Sequence, residues 1–97
     1  MSRFIKYHLG IGGKRESDVT EDFMKNLQEL QTKHPEFGIK SIGIWADRVM
    51  VCGIIIGPSK SACNGIFAKL QKCLIEKFDV NKITSHVLLK GECEVAE

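Results

Sequence analysis

Residues 49–56, VMVCGIII, are apolar at almost every position and are bounded by the polar pair Asp47-Arg48 and by Gly57-Pro58. A strand that is apolar on both of its sides is usually a central strand covered on both faces. The chain is 97 residues long, with 43% hydrophobic and 27% charged residues. That is one globular domain, residues 1–97, with room for a single modest core.

The flanking segments alternate between two periods. Residues 3–11, RFIKYHLGI, repeat every second residue: Ile5, Tyr7, Leu9 and Ile11 fall on one side, and Phe4, Lys6 and His8 on the other. This is a strand pattern. Residues 18–34 carry Val19, Phe23, Leu27 and Leu30 at helical spacing, with Ser17 or Asp18 as cap, an Asp18/Glu21 capping box, and Pro35 as the stop. Residues 39–46 form a second strand. Residues 60–78 form a second helix, with Cys63, Phe67, Leu70 and Leu74 on one face, and residues 82–90 form the last strand. Residues 91–97 read as a frayed acidic tail.

The order strand, helix, strand, strand, helix, strand predicts an α+β, ferredoxin-like βαββαβ sandwich: a four-stranded antiparallel sheet with two helices on one face. The predicted core holds Ile5, Leu9, Val19, Phe23, Leu27, Leu30, Ile42, Ile44, Val51, Ile55, Ile66, Phe67, Leu70, Leu74, Ile83 and Val87. The spacing of elements, with KFDV at 77–80 ahead of the last strand, resembles small bacterial βαββαβ proteins linked to ribosome maturation. That resemblance implies the fold and no activity.

Several function classes are excluded or weakened by composition. No apolar run approaches 18 residues, and Arg3, Lys6 and His8 interrupt the N-terminal segment, so neither a membrane span nor an export signal is expected. The net charge of +2 is too small to argue for nucleic acid alone. Cys52, Cys63, Cys73 and Cys93 lack C-x-x-C spacing and have no histidine at a zinc-like interval. They are expected to be thiols of a cytoplasmic protein with no metal and no cofactor.

Two surfaces stand out. The loops GIGGKRES (10–17) and GPSKS (57–61) each lead from a strand into a helix. With the first and third strands taken as parallel neighbours, both loops converge on one edge of the sheet. Gly12, Gly13, Lys14, Arg15, Ser17, Ser59, Lys60 and Ser61 then form an anion site for a phosphate-bearing ligand, either a nucleotide or nucleic acid. Neither loop matches a P-loop or a G-x-G-x-x-G pattern.

The second surface is the sheet face away from the helices, expected to carry Phe4, His8, Trp45, His86 and Leu88, with Lys6 and Thr84 beside them; either alternate set of the third strand could join them, and Met50, Cys52 and Ile54 are the set taken. So apolar a face suits a homodimer packed sheet on sheet, or a larger protein partner. Stacking of bases on Phe4 and Trp45 is the other use of such a face. The Gly- and aromatic-rich third strand of the RRM family is absent. A His8, His86 and Cys52 metal trio has no supporting spacing.

The leading expectation is therefore a non-enzymatic binding or regulatory protein, homodimeric, with its ligand at the two loops. The alternatives are an interaction or inhibitor module using the sheet face, and a small phosphate ester or anhydride hydrolase using Lys14 and Cys63. The acylphosphatases share topology and length, but their Val-Gln-Gly loop with its Arg and their second-strand Asn are missing here, so their activity is not transferred.

Overall fold

The computed structural model describes residues 2–80 and 83–93, with side chains described for 2–80 and 83. The chain is α+β: an antiparallel sheet with two helices. Its strands are β1 (Ser2–Ile11), β2 (Ile39–Trp45), β3 (Arg48–Gly57) and β4 (Ile83–Cys93), hydrogen-bonded in the order β2-β3-β1-β4. The helices are α1 (Glu21–Lys33) and α2 (Lys60–Phe78), and short 3-10 turns cover Glu16–Asp18 and Pro35–Phe37.

The apolar run 49–56 lies inside β3, flanked by β2 and β1. Alternation in β1 sends Ile5, Tyr7, Leu9 and Ile11 into the core, where β3 adds Val49, Val51 and Ile55. The helices close over that side only. Phe23, Leu27 and Leu30 of α1 and Cys63, Leu70, Leu74 and Phe78 of α2 belong to the same buried cluster, and Phe23 stacks on Phe78 with ring centroids 4.6 Å apart.

The pairing of β1 with β3 corrects one expectation. The two strands are antiparallel, with Arg3 opposite Gly57 and Gly10 opposite Met50. Each βαβ unit carries the chain over the sheet to a strand that is not its neighbour, and the β2–β3 hairpin then reverses direction. That hairpin turns through Ala46 and Asp47, both at positive φ (48° and 62°), the geometry of a two-residue turn matched to strand twist.

Smaller corrections follow from local hydrogen bonding. Asp18 accepts from Arg15 N at 2.8 Å and closes a 3-10 turn, so α1 begins at Glu21 with Thr20 as its cap, accepting from Phe23 N. β4 continues to Cys93, with Gly91, Glu92 and Cys93 opposite Phe4, Arg3 and Ser2, so 91–93 belong to the sheet. Residues 94–97 and the side chain of Val87 lie outside those described. Ile44 is 43% exposed: it pairs with Val49 at the free edge of β2. Val19, Ile42, Ile66, Phe67 and Ile83 pack against the core from partly buried positions.

The connection from α1 to β2 is seated on the sheet centre by one hydrogen bond. Tyr7, fully buried, donates its hydroxyl to the Phe37 carbonyl at 2.7 Å. Gly38 follows at φ +59° and its carbonyl accepts from Ile54 N at 3.0 Å. A Cβ at Gly38 would overlap the Ile54 carbonyl, and one at Gly53 would overlap the Tyr7 hydroxyl. Tyr7→Phe leaves a buried carbonyl without its donor, and a loss of about 1–3 kcal/mol is expected in urea denaturation. Gly53→Ala is expected to destabilise the protein as well, because the added methyl displaces the same hydroxyl.

Candidate functional site

The antiparallel alignment sets the two strand-to-helix loops apart. The 57–61 loop leaves β3 beside Arg3, whereas the 10–17 loop leaves β1 beside Met50. Arg3 and Gly10 are seven residues apart, or about 23 Å along a strand. The joint anion site expected at one edge is therefore not formed.

The 10–17 loop has its own occupants. Gly13 is needed at φ +81° for the turn, and Lys14 N donates back to Ile11 O at 3.2 Å. Arg15 N donates to Asp18 and Glu16 N to Asp47 Oδ1 at 3.2 Å, so carboxylates already take the amides that would meet an anion. The Arg15 side chain lies 3.9 Å from Asp47. Glu21 and Asp22 put negative charge in the first turn of α1, which further opposes an anion there. Gly12 lies in the turn with Gly13, and Ser17 in the 3-10 turn Glu16–Asp18.

At the other loop, the Ser59 hydroxyl accepts from Ala62 N at 3.1 Å and caps α2. Lys60 and Ser61 are exposed beside it. This is an ordinary helix start. Cys63 is 1% exposed, with its thiol 3.4 Å from the Arg3 carbonyl. It has no open route to a substrate and lies at the opposite end of the sheet from Lys14, so the pair invoked for hydrolysis is not brought together.

The open face is a different matter. Paired residues of an antiparallel ladder share a face. On the side away from the helices, Phe4 lies opposite Ile56, Lys6 opposite Ile54 and His8 opposite Cys52. Cys52 is in turn opposite Ser41, and Trp45 opposite Arg48. Trp45 is 74% exposed and Ile56 49%. Phe4, Met50, Cys52 and Ile54 are half-buried among them. Ile56 was absent from the sequence reading of this face, although it continues the alternation through 50, 52 and 54. By register, His86 sits opposite His8, while Leu88 falls at the shift between Lys6 and Tyr7. The side chains of Thr84, His86 and Leu88 lie outside those described.

Burial pushes the Cys52 thiol up, against hydrogen bonds from Gly43 and Ser41, and this favours the protonated, weakly nucleophilic form. Among the described residues no group of three His, Cys, Asp or Glu side chains is placed to hold a metal ion. No helix among them is long and apolar enough to cross a membrane. His34 is the C-terminal cap of α1, stacks on Phe37 and lies 3.0 Å from Glu36, whose own backbone amide, ahead of His34, lowers its pKa. Compared with protein-family models, curated proteins and solved structures, the chain matches none.

Beneath the open face, Tyr7 provides a titration handle, because it is the one tyrosine in the chain. Burial first, and the neighbouring Cys52 second, raise its hydroxyl well above the ordinary 10.0. The folded chain keeps this proton where the unfolded chain has lost it. Stability contributed by Tyr7 is therefore complete below about pH 10 and declines as pH rises beyond it. The urea midpoint is expected to fall more steeply from about pH 9 to about pH 11 in the wild type than in Tyr7→Phe, and tyrosinate absorbance is expected to appear only on unfolding.

Proposed function

We propose that this chain is a non-enzymatic binding protein of ferredoxin-like topology whose open sheet face is its working surface, closed in solution by a second copy packed sheet on sheet. The observation that carries this reading is the row of Phe4, Met50, Ile54, Ile56 and Trp45 on a face that neither helix covers. Full burial of a large apolar side chain is worth about 1.5–3 kcal/mol, and covering Trp45 and Ile56, 74% and 49% exposed, would gain the part of that still open to water. A face shared by two copies presents the same patch twice, which is the geometry of a two-fold interface. Two packed sheets lie about 10 Å apart, a spacing suited to interdigitating Phe, Met and Ile side chains.

A single-stranded nucleic acid suits the face less well. Trp45 sits opposite Arg48, and Phe4 opposite Ile56, eight residues further along β3. That separation is about 26 Å along a strand, or about eight stacked base steps. The two aromatics do not make one platform for neighbouring bases. A larger protein partner remains the alternative occupant of the same residues, with Trp45 as its anchor.

Sedimentation equilibrium separates these readings. The wild type is expected at twice the chain mass, and Trp45→Ala combined with Ile56→Glu at one chain mass with an unchanged circular dichroism spectrum. A wild type that stays at one chain mass at every concentration overturns the self-association.

A further inference from the structure

Between α1 and β2, on the helix-facing side of the sheet edge, runs a trough of about 630 Å³. Its apolar lining comes from Val19, Met24, Leu27, Ile39 and Ile42. Only Leu27 among these is buried, and Met24 is 45% exposed. Among the described residues β2 is the sheet edge, with β3 on one side and no strand on the other. At its start, Gln31 Oε1 accepts from Ile39 N at 2.9 Å, and the register shifts between Ile39 and Ser41. These two features blunt the beginning of the edge and leave the stretch from Ser41 to Trp45 for pairing.

The charges beside the trough are uneven. Lys25 rises from α1 and Lys40 from β2, both exposed, and neither forms an ion pair among the described residues. Glu21 lines the end nearest the start of α1. Two cations on facing walls, over an apolar floor and beside a strand edge, complement an extended segment with a carboxylate among apolar side chains. Main-chain pairing to the edge supplies affinity, and the trough selects the side chains that alternate toward it.

We propose that the α1–β2 trough binds an extended, acidic peptide segment of a partner protein, which adds to the β2 edge and sets an Asp or Glu between Lys25 and Lys40. This site lies on the opposite side of the sheet from the open face, and the two stand or fall separately.

The test is to pan a random heptapeptide library against the folded wild type and then titrate the selected peptide into isotopically labelled protein. The expected result is a consensus of Asp or Glu beside apolar residues, with amide shifts concentrated in α1 and β2. The variant Lys25→Glu/Lys40→Glu is expected to lose about tenfold or more in affinity while keeping its spectrum, and Lys25→Arg/Lys40→Arg to keep its binding. No consensus, a consensus without acidic residues, or shifts confined to Phe4, Ile54 and Ile56 would overturn the proposal.

Discussion

The hydrogen bond from the Tyr7 hydroxyl to the Phe37 carbonyl holds together the parts of this structure that the sheet alone does not connect. A carbonyl at the end of a 3-10 turn, buried against a central strand, has no water to accept from. Tyr7 is the group that satisfies it, and the tyrosine ring in turn packs 5.7 Å from Phe67 of α2. The arrangement works only because Gly53 leaves room above β3 and Gly38 adopts a left-handed conformation. Once Phe37 is anchored, β2 starts beside Gly53 and runs along β3 to the hairpin. The edge of the sheet, and the trough between that edge and α1, follow from this one seat.

The second constraint is that both helices serve one face. A core built from the odd-numbered residues of β1, from Val49, Val51 and Ile55, and from the apolar stripes of α1 and α2 leaves the other side of the sheet without cover. Among the described side chains there, Phe4, Met50, Cys52, Ile54, Ile56 and Trp45 lie beside the polar Lys6, His8, Ser41 and Arg48. The loops at the strand ends, by contrast, satisfy their own donors: Asp18, Asp47 and Ser59 occupy the amides that a bound anion would need. The residues left with unsatisfied contact potential lie on the face and the edge. The function proposed for the chain lies there for the same reason.

Much of this was legible from residues alone, and the misses have physical causes. Period-two alternation in 3–11 specifies which side of β1 is buried, whereas the run 49–56 is apolar on both sides and leaves the phase of β3 open; its register against β1 is what puts Met50, Cys52 and Ile54 on the uncovered side. The bounds of α2 follow from the apolar stripe of Cys63, Phe67, Leu70 and Leu74, although the Ser59 cap that starts it is seen only in the structure. Strand direction is not encoded in alternation at all: a strand reads the same in a parallel or an antiparallel pair. The error in the relation of β1 to β3 therefore carried the two loops to one edge. Phe37 escaped notice because a 3-10 turn of three residues after Pro35 has no period to detect. Asp18 looked like the cap of α1, but it is the last residue of the short turn before α1, where its carboxylate reaches back to the Arg15 amide. The trough left no periodic signal either, since Val19, Met24 and Ile42 come from separate elements.

The central claim is that the open face is covered by a second copy, and the chain contains a single tryptophan, Trp45, on that face. The most direct measurement is the emission maximum of Trp45 as the protein is concentrated without denaturant. The account predicts a shift from the emission of a solvated indole at high dilution toward shorter wavelength, tracking the mass of the complex. An emission that stays at the solvated position at every concentration, with the fold intact, would contradict it.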